Sequence, residues 1–118
     1  MTADATQAAD GYQAFLQIEG ADPTLRAQAL RRLGDLRLAE AEAAIARDGT
    51  GAGAARDLAQ QAIDAYRRLL GEQPSFAAAD AVLYQLARAS EYVDDAPGAA
   101  AALDRLAAEY PRSPYQAE

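Results

Sequence analysis

Cysteine, histidine, lysine, tryptophan and asparagine do not occur anywhere in the 118 residues. Without cysteine there is no disulfide and no thiolate metal site, and the redox compartment cannot be read. Without histidine, cysteine or lysine the ordinary catalytic triads, thiol nucleophiles and Schiff-base amines are excluded. Carboxylates, three serines, four threonines and six tyrosines are left, so neither catalysis nor a cofactor is expected. β-Branched residues are scarce, which disfavours a sheet. No stretch reaches the ~18 apolar residues of a membrane span. All eleven basic residues are arginine, against eighteen acids, for a net charge of −7. So acidic a chain is a poor binder of nucleic acid, which needs a basic patch to neutralise phosphate. The first residues, MTADATQAAD, have neither the basic nor the apolar region of a signal peptide; the compartment stays open.

What is present points one way. Apolar residues make up 51% of the chain, and about half of them are alanine, the best helix former. One all-α domain with a shallow core and closely packed helices is expected, burying roughly two-thirds of its chain surface. A motif closing in proline occurs three times, at Gly11–Pro23, Ala62–Pro74 and Ala99–Pro111. Twelve residues before each proline stands a small residue (Gly11, Ala62, Ala99), and nine before it an alanine (Ala14, Ala65, Ala102). Eight before it stands an aromatic or leucine (Phe15, Tyr66, Leu103), and five before it an aliphatic (Ile18, Leu69, Leu106). Spacings of four and three put these residues on one face of a helix. Repetition at tens of residues is the mark of a solenoid.

The spacing predicts five helices. The first covers 7–19 and is stopped by Gly20 and Asp22-Pro23, with Asp22 capping the second. The second, about 24–47, carries two stripes: Leu25, Ala29, Leu33, Leu36 and Ala43, then Leu30, Leu38 and Ile45. Two stripes suit a helix between two neighbours. The segment DGTGAG (48–53) reads as a flexible turn. The third helix covers about 54–71, with Leu58, Ala62, Tyr66, Leu69 and Leu70 inward and Gly71 as its C-cap. Ser75 is the expected cap of a fourth helix, 76–92, with Phe76, Leu83, Leu86 and Ala87 inward. Asp94 or Asp95 caps a fifth, 96–109, with Pro97 in its first turn. Ser113-Pro114-Tyr115-Gln116 is a further helix start, read either as a frayed tail or as the opening of another unit in a longer array.

Leu83, Leu86, Ala87, Ala99, Leu103, Leu106 and Pro111 together resemble a tetratricopeptide repeat, as do Leu30, Leu33, Gly34, Ala62, Tyr66, Leu69 and Pro74. The resemblance implies an α-solenoid of about five antiparallel helices in which small residues sit where two helices cross. It divides the single domain, 1–118, into a second helix of a partial unit (7–23), a full unit (24–74), another (75–111) and the start of a further helix (112–118). The unit at 24–74 departs from the pattern by an insertion of about sixteen residues around DGTGAG. Ser90 stands where tyrosine is usual. The stretch AEYPRSPYQAE is similar to repeat junctions of bacterial envelope proteins of the Tol–Pal and outer-membrane-assembly systems, which implies an envelope or periplasmic location. Abundant alanine and arginine without lysine fits a GC-rich bacterial genome.

The family implies a protein–protein interaction scaffold whose first helices line a concave surface. Residues off the packing rows of those helices are then the candidate partner-binding set: Gln28, Arg31 and Asp35 on the second helix, Tyr84, Arg88 and Glu91 on the fourth. The ordinary reading of the same residues is surface ion pairing, Arg31 with Asp35 and Arg88 with Glu91. An architectural role, with repeats stacking on neighbouring repeats or on a second copy, is the other functional class. The partner itself is unidentified. Glu91, Asp94 and Asp95 suit a hard cation on paper, but caps at a solvated helix end account for them better. Gly49, Gly51 and Gly53 lack the strand and lysine of a phosphate loop. The Lys/Asn clamp by which related domains grip C-terminal carboxylates is absent, since the chain has neither residue.

Overall fold

A computed structural model describes residues 2–48 and 52–117. Five α-helices follow one another: α1 (Thr2–Leu16), α2 (Pro23–Asp48), α3 (Ala52–Glu72), α4 (Ala79–Tyr92) and α5 (Ala96–Glu109). A single 3-10 turn, Pro114–Ala117, comes last. No strand occurs among the described residues, so the chain is all-α.

The helix ends follow from a few side chains. Gly20 turns the chain at φ +75°, a conformation glycine adopts without strain. Asp22 Oδ1 accepts from the backbone N–H of Thr24 (2.7 Å) and Leu25 (3.2 Å), and Pro23 opens α2 where no N–H is required. Asp95 caps α5 by accepting from Gly98 N–H at 2.9 Å, with Pro97 in the first turn.

Four expected boundaries are wrong. α1 begins at Thr2, not at residue 7. α1 stops at Leu16, because Gln17 and Ile18 donate to Ala14 and Phe15 in tighter turns; Ile18 swings out, 55% exposed, and Leu16 is buried instead. Ser75 does not cap α4. Its neighbourhood is spent on two tight turns, Phe76 N–H to Gln73 O and Ala79 N–H to Phe76 O. The helix begins at Ala79 with no side-chain cap. Gly71 does not end α3 either; the helix continues to Glu72, and Gln73 N–H closes onto Leu69 O.

Each helix packs against its neighbours in the chain, and α2 touches α4 lightly. The pairing of α2 with α3 is antiparallel in a steady register. Arg26 meets Glu72, Asp35 meets Tyr66, and Ala41 and Ala44 cluster with Ala55 and Ala59. α1 is antiparallel to α2, with Thr6 bonded to Glu40 and Arg26 to the Leu16 carbonyl. The expected insertion is mostly helix: α2 and α3 run 26 and 21 residues, against 14 each for α4 and α5. Of DGTGAG, residues 49–51 lie outside the described residues.

The core is one cluster spanning all five helices, with Tyr66 its largest fully buried side chain. A second, smaller cluster at the far end of α2 and α3 contains only alanines, covered by Leu58, Tyr92 and Val93. Leu25, Ala43 and Ile45, expected on the stripes of α2, are exposed.

At Gly34 the α2–α3 crossing is closest. A Cβ there would lie 2.8 Å from Cδ1 and Cζ of the Tyr66 ring. Only glycine lets the ring lie on the backbone of α2. The three motif copies are not equally buried. In α3, Ala62, Tyr66 and Leu69 are completely inaccessible. In α5, Ala99 and Leu106 are buried but Leu103, at the motif position of Tyr66, is 43% exposed. In α1, Gly11 is exposed and Phe15 half-buried. Among the described residues, the middle copy alone has α-helices packed on both sides.

Candidate functional site

The six expected contact residues fall into two grooves, three in each. Gln28, Arg31 and Asp35 line a shallow polar groove of about 410 Å³ with Arg32 and Phe76. Tyr84, Arg88 and Glu91 line a second, of about 440 Å³, floored by Ala87, Leu103 and Leu106 and walled by Tyr115.

On α2 the charged pair is occupied with structure. Arg31 Nε lies 3.9 Å from Asp35 Oδ2, one helical turn on. Asp35 Oδ1 in turn accepts from the Tyr66 hydroxyl at 2.6 Å. Burial, and then that carboxylate acceptor, raises the Tyr66 phenol above its ordinary value. A buried hydroxyl needs a partner, and Asp35 supplies it from the groove edge.

On α4 the expected Arg88–Glu91 pair does not form. Arg88 reaches across to Glu42 of α2 and also donates to Gln85 Oε1 at 3.1 Å. The Tyr92 hydroxyl bonds the same Glu42 carboxylate at 3.4 Å, and burial with this acid raises the Tyr92 phenol. Arg88 therefore ties α4 to α2, while Glu91 is exposed at the groove rim. Tyr84 and Tyr115 have ring centroids 5.0 Å apart at a tilt of 33°, a favourable aromatic geometry. Tyr115 is held there by Ser113, whose hydroxyl donates to Asp80 Oδ2 (2.8 Å) and accepts from Tyr115 N–H (3.2 Å).

Sequence reasoning missed Phe76, Leu103 and Tyr115. Phe76 and Tyr115 are the first aromatics after the closing prolines Pro74 and Pro111; Phe76 lines the α2 groove and Tyr115 the α4 groove. That shared placement was the available signal. Leu103 occupies the motif position of the buried Tyr66, and the spacing alone does not distinguish a covered copy from an open one.

The acids at the end of α4 do not converge. Asp94 bonds Arg56 at 2.8 Å and Asp95 caps α5. Among the described residues there is no group of three metal-ligating side chains, and no helix is long and apolar enough to cross a membrane. Gly49 and Gly51 lie outside the described residues, and Gly53 sits in the first turn of α3.

Comparison with protein-family models, with characterised proteins and with solved structures finds no match. The functional reading rests on the grooves.

Proposed function

We propose that this chain is a helical-repeat scaffold of the tetratricopeptide type that binds a partner protein on its first helices, chiefly in the α4 groove. The observation that carries the reading is Leu103. At the motif position where α3 buries Tyr66 completely, α5 leaves a leucine 43% exposed. The leucine lies in a groove with a tilted pair of tyrosines and both signs of charge. Exposed apolar surface beside tyrosine and arginine is the composition of a binding hot spot. The partner segment would place an apolar side chain against Leu103 between the tyrosine rings and Glu91. The solenoid reading is supported by the chain-neighbour packing, the glycine–tyrosine crossing and the phased prolines.

The test is a photo-reactive phenylalanine analogue at position 103, used in the source cells to capture the partner, followed by calorimetry on the purified pair. Leu103→Asp and Tyr84→Ala are expected to weaken binding by about 1–2 kcal/mol or more each. Arg105→Glu, which changes a residue in a different groove on α5, is expected to leave it unchanged. Binding lost in Arg105→Glu and intact in Leu103→Asp would reject the α4 groove as the site.

A further inference from the structure

The hydrogen-bonding state of the α4 groove indicates what kind of segment fills it. Tyr84 and Tyr115 lie beside Leu103, over a floor of Ala87 and Leu106. Both rings are half-buried, and neither hydroxyl has a hydrogen-bond partner among the described residues. Tyr66 and Tyr92 differ, since Asp35 and Glu42 accept from their hydroxyls. Tyr115 is anchored through its backbone N–H, on Ser113 Oγ at 3.2 Å, so its phenol is not spent on holding the turn. The two charges are not equivalent either. Arg88 is engaged by Glu42 and by Gln85 Oε1. Glu91 is exposed, and its carboxylate makes no hydrogen bond or ion pair among the described residues. The groove thus offers an apolar strip, two free phenolic donors and one uncompensated negative charge.

Those properties select an occupant. Phenol O–H groups covered by a partner need acceptors. A helix spends its carbonyls on its own N–H groups. An ordinary extended segment frees its carbonyls but also brings N–H donors, for which Glu91 is the one open acceptor among the lining side chains. A polyproline II segment keeps its carbonyls free on a preformed backbone, and proline brings no N–H. Its rings supply the apolar surface that aromatic-lined grooves take. The bare carboxylate of Glu91 calls for a cation on the same segment.

We propose that the α4 groove binds a basic polyproline II segment of the partner: proline rings against Tyr84, Tyr115 and Leu103, peptide carbonyls accepting from the two phenols, and an arginine or lysine on Glu91. The proposal rests on the reading of this groove as the partner site. Fluorescence anisotropy of a labelled oligoproline ending in arginine, titrated with the full chain, tests it. Binding is expected with a Kd of about 100 μM. The same peptide with alanine in place of proline is expected to bind about tenfold more weakly or worse. Tyr84→Phe and Tyr115→Phe each remove a hydroxyl that bonds nothing among the described residues. Each is expected to weaken the peptide about fivefold and to leave the melting temperature unchanged. Glu91→Gln is expected to erase the preference for arginine over glutamate at the end of the peptide, and Arg105→Glu to change nothing. No binding at about 1 mM, equal binding of the alanine peptide, or indifference to both phenylalanine variants overturns the proposal. A partner captured at position 103 through a segment without proline also overturns it, yet leaves the α4 groove standing as the partner site. A captured partner that tolerates Leu103→Asp removes that site as well.

Discussion

The two complete hairpins are built on the same motif and end in different states. α2–α3 pairs Gly34 with Tyr66; α4–α5 places Ala87 and Leu103 at the matching positions. In the first, glycine admits a ring that is wholly buried and whose hydroxyl is anchored on Asp35. In the second, the side chain on α5 faces an open groove. The same spacing thus yields core in one place and surface in the other. The deciding variable is cover: α3 is packed against both α2 and α4, while Leu103 of α5 lines an open groove.

The largest effect that tests this contrast is truncation. Tyr66→Ala is expected to cost about 3–5 kcal/mol, while Leu103→Ala costs under about 1 kcal/mol, read from urea midpoints. Equal losses would mean that Leu103 is covered in solution. Next is the crossing itself. Gly34→Ala should cost about 1–3 kcal/mol because the buried ring has to move, although alanine is the better helix former. Gly71→Ala, on open surface in α3, should instead be neutral or stabilise by up to about 1 kcal/mol. A gain at both sites would refute the close approach at Gly34.

The smallest effect is in pH. Burial and the Asp35 acceptor raise the Tyr66 phenol in the fold, above about 10 in the unfolded chain. The folded state holds that proton more tightly, so this contribution is complete below about pH 10 and lost as pH rises further. Tyr66→Phe should give a shallower alkaline decline in stability than wild type. At the acid limb the sign reverses. The Arg26 hydrogen bond lowers Glu72, so its small, solvent-screened contribution is present at neutral pH and disappears as pH falls through the carboxylate range.

Much of the fold was legible. Five helices and most of their inward faces follow from alanine content and proline phasing, and Asp22 and Asp95 cap as their spacing suggests. The failures share a cause. Ser75, Gly71 and Ile18 are local signals with a plausible local role, and tertiary packing gave each another. Phe76 is tucked against the core by turns at 73–79, and Leu16 displaced Ile18. For the candidate site, the sequence named three residues of α4 that line one groove but neither its floor nor its wall. Arg88 looked like a partner for Glu91, three residues away. Its actual partner, Glu42, is 46 residues distant, and no periodicity within one helix encodes such a pair.

The alanine cluster at the far end of α2–α3 has a consequence for the timescale on which that hairpin opens. Methyl groups bury little area, so parting Ala41 and Ala44 from Ala55 and Ala59 sacrifices far less than lifting Tyr66 off Gly34. The hairpin has a locked root and a tip that can breathe. Amide protons of residues 41–48 and 52–58 should exchange through partial opening, and those around Leu30–Gly34 and Ile63–Leu69 only when the whole chain unfolds. Tyr92 and Val93 rest on that tip, so each opening also loosens the end of α4 and transmits motion at one extremity to the edge of the groove that carries Arg88.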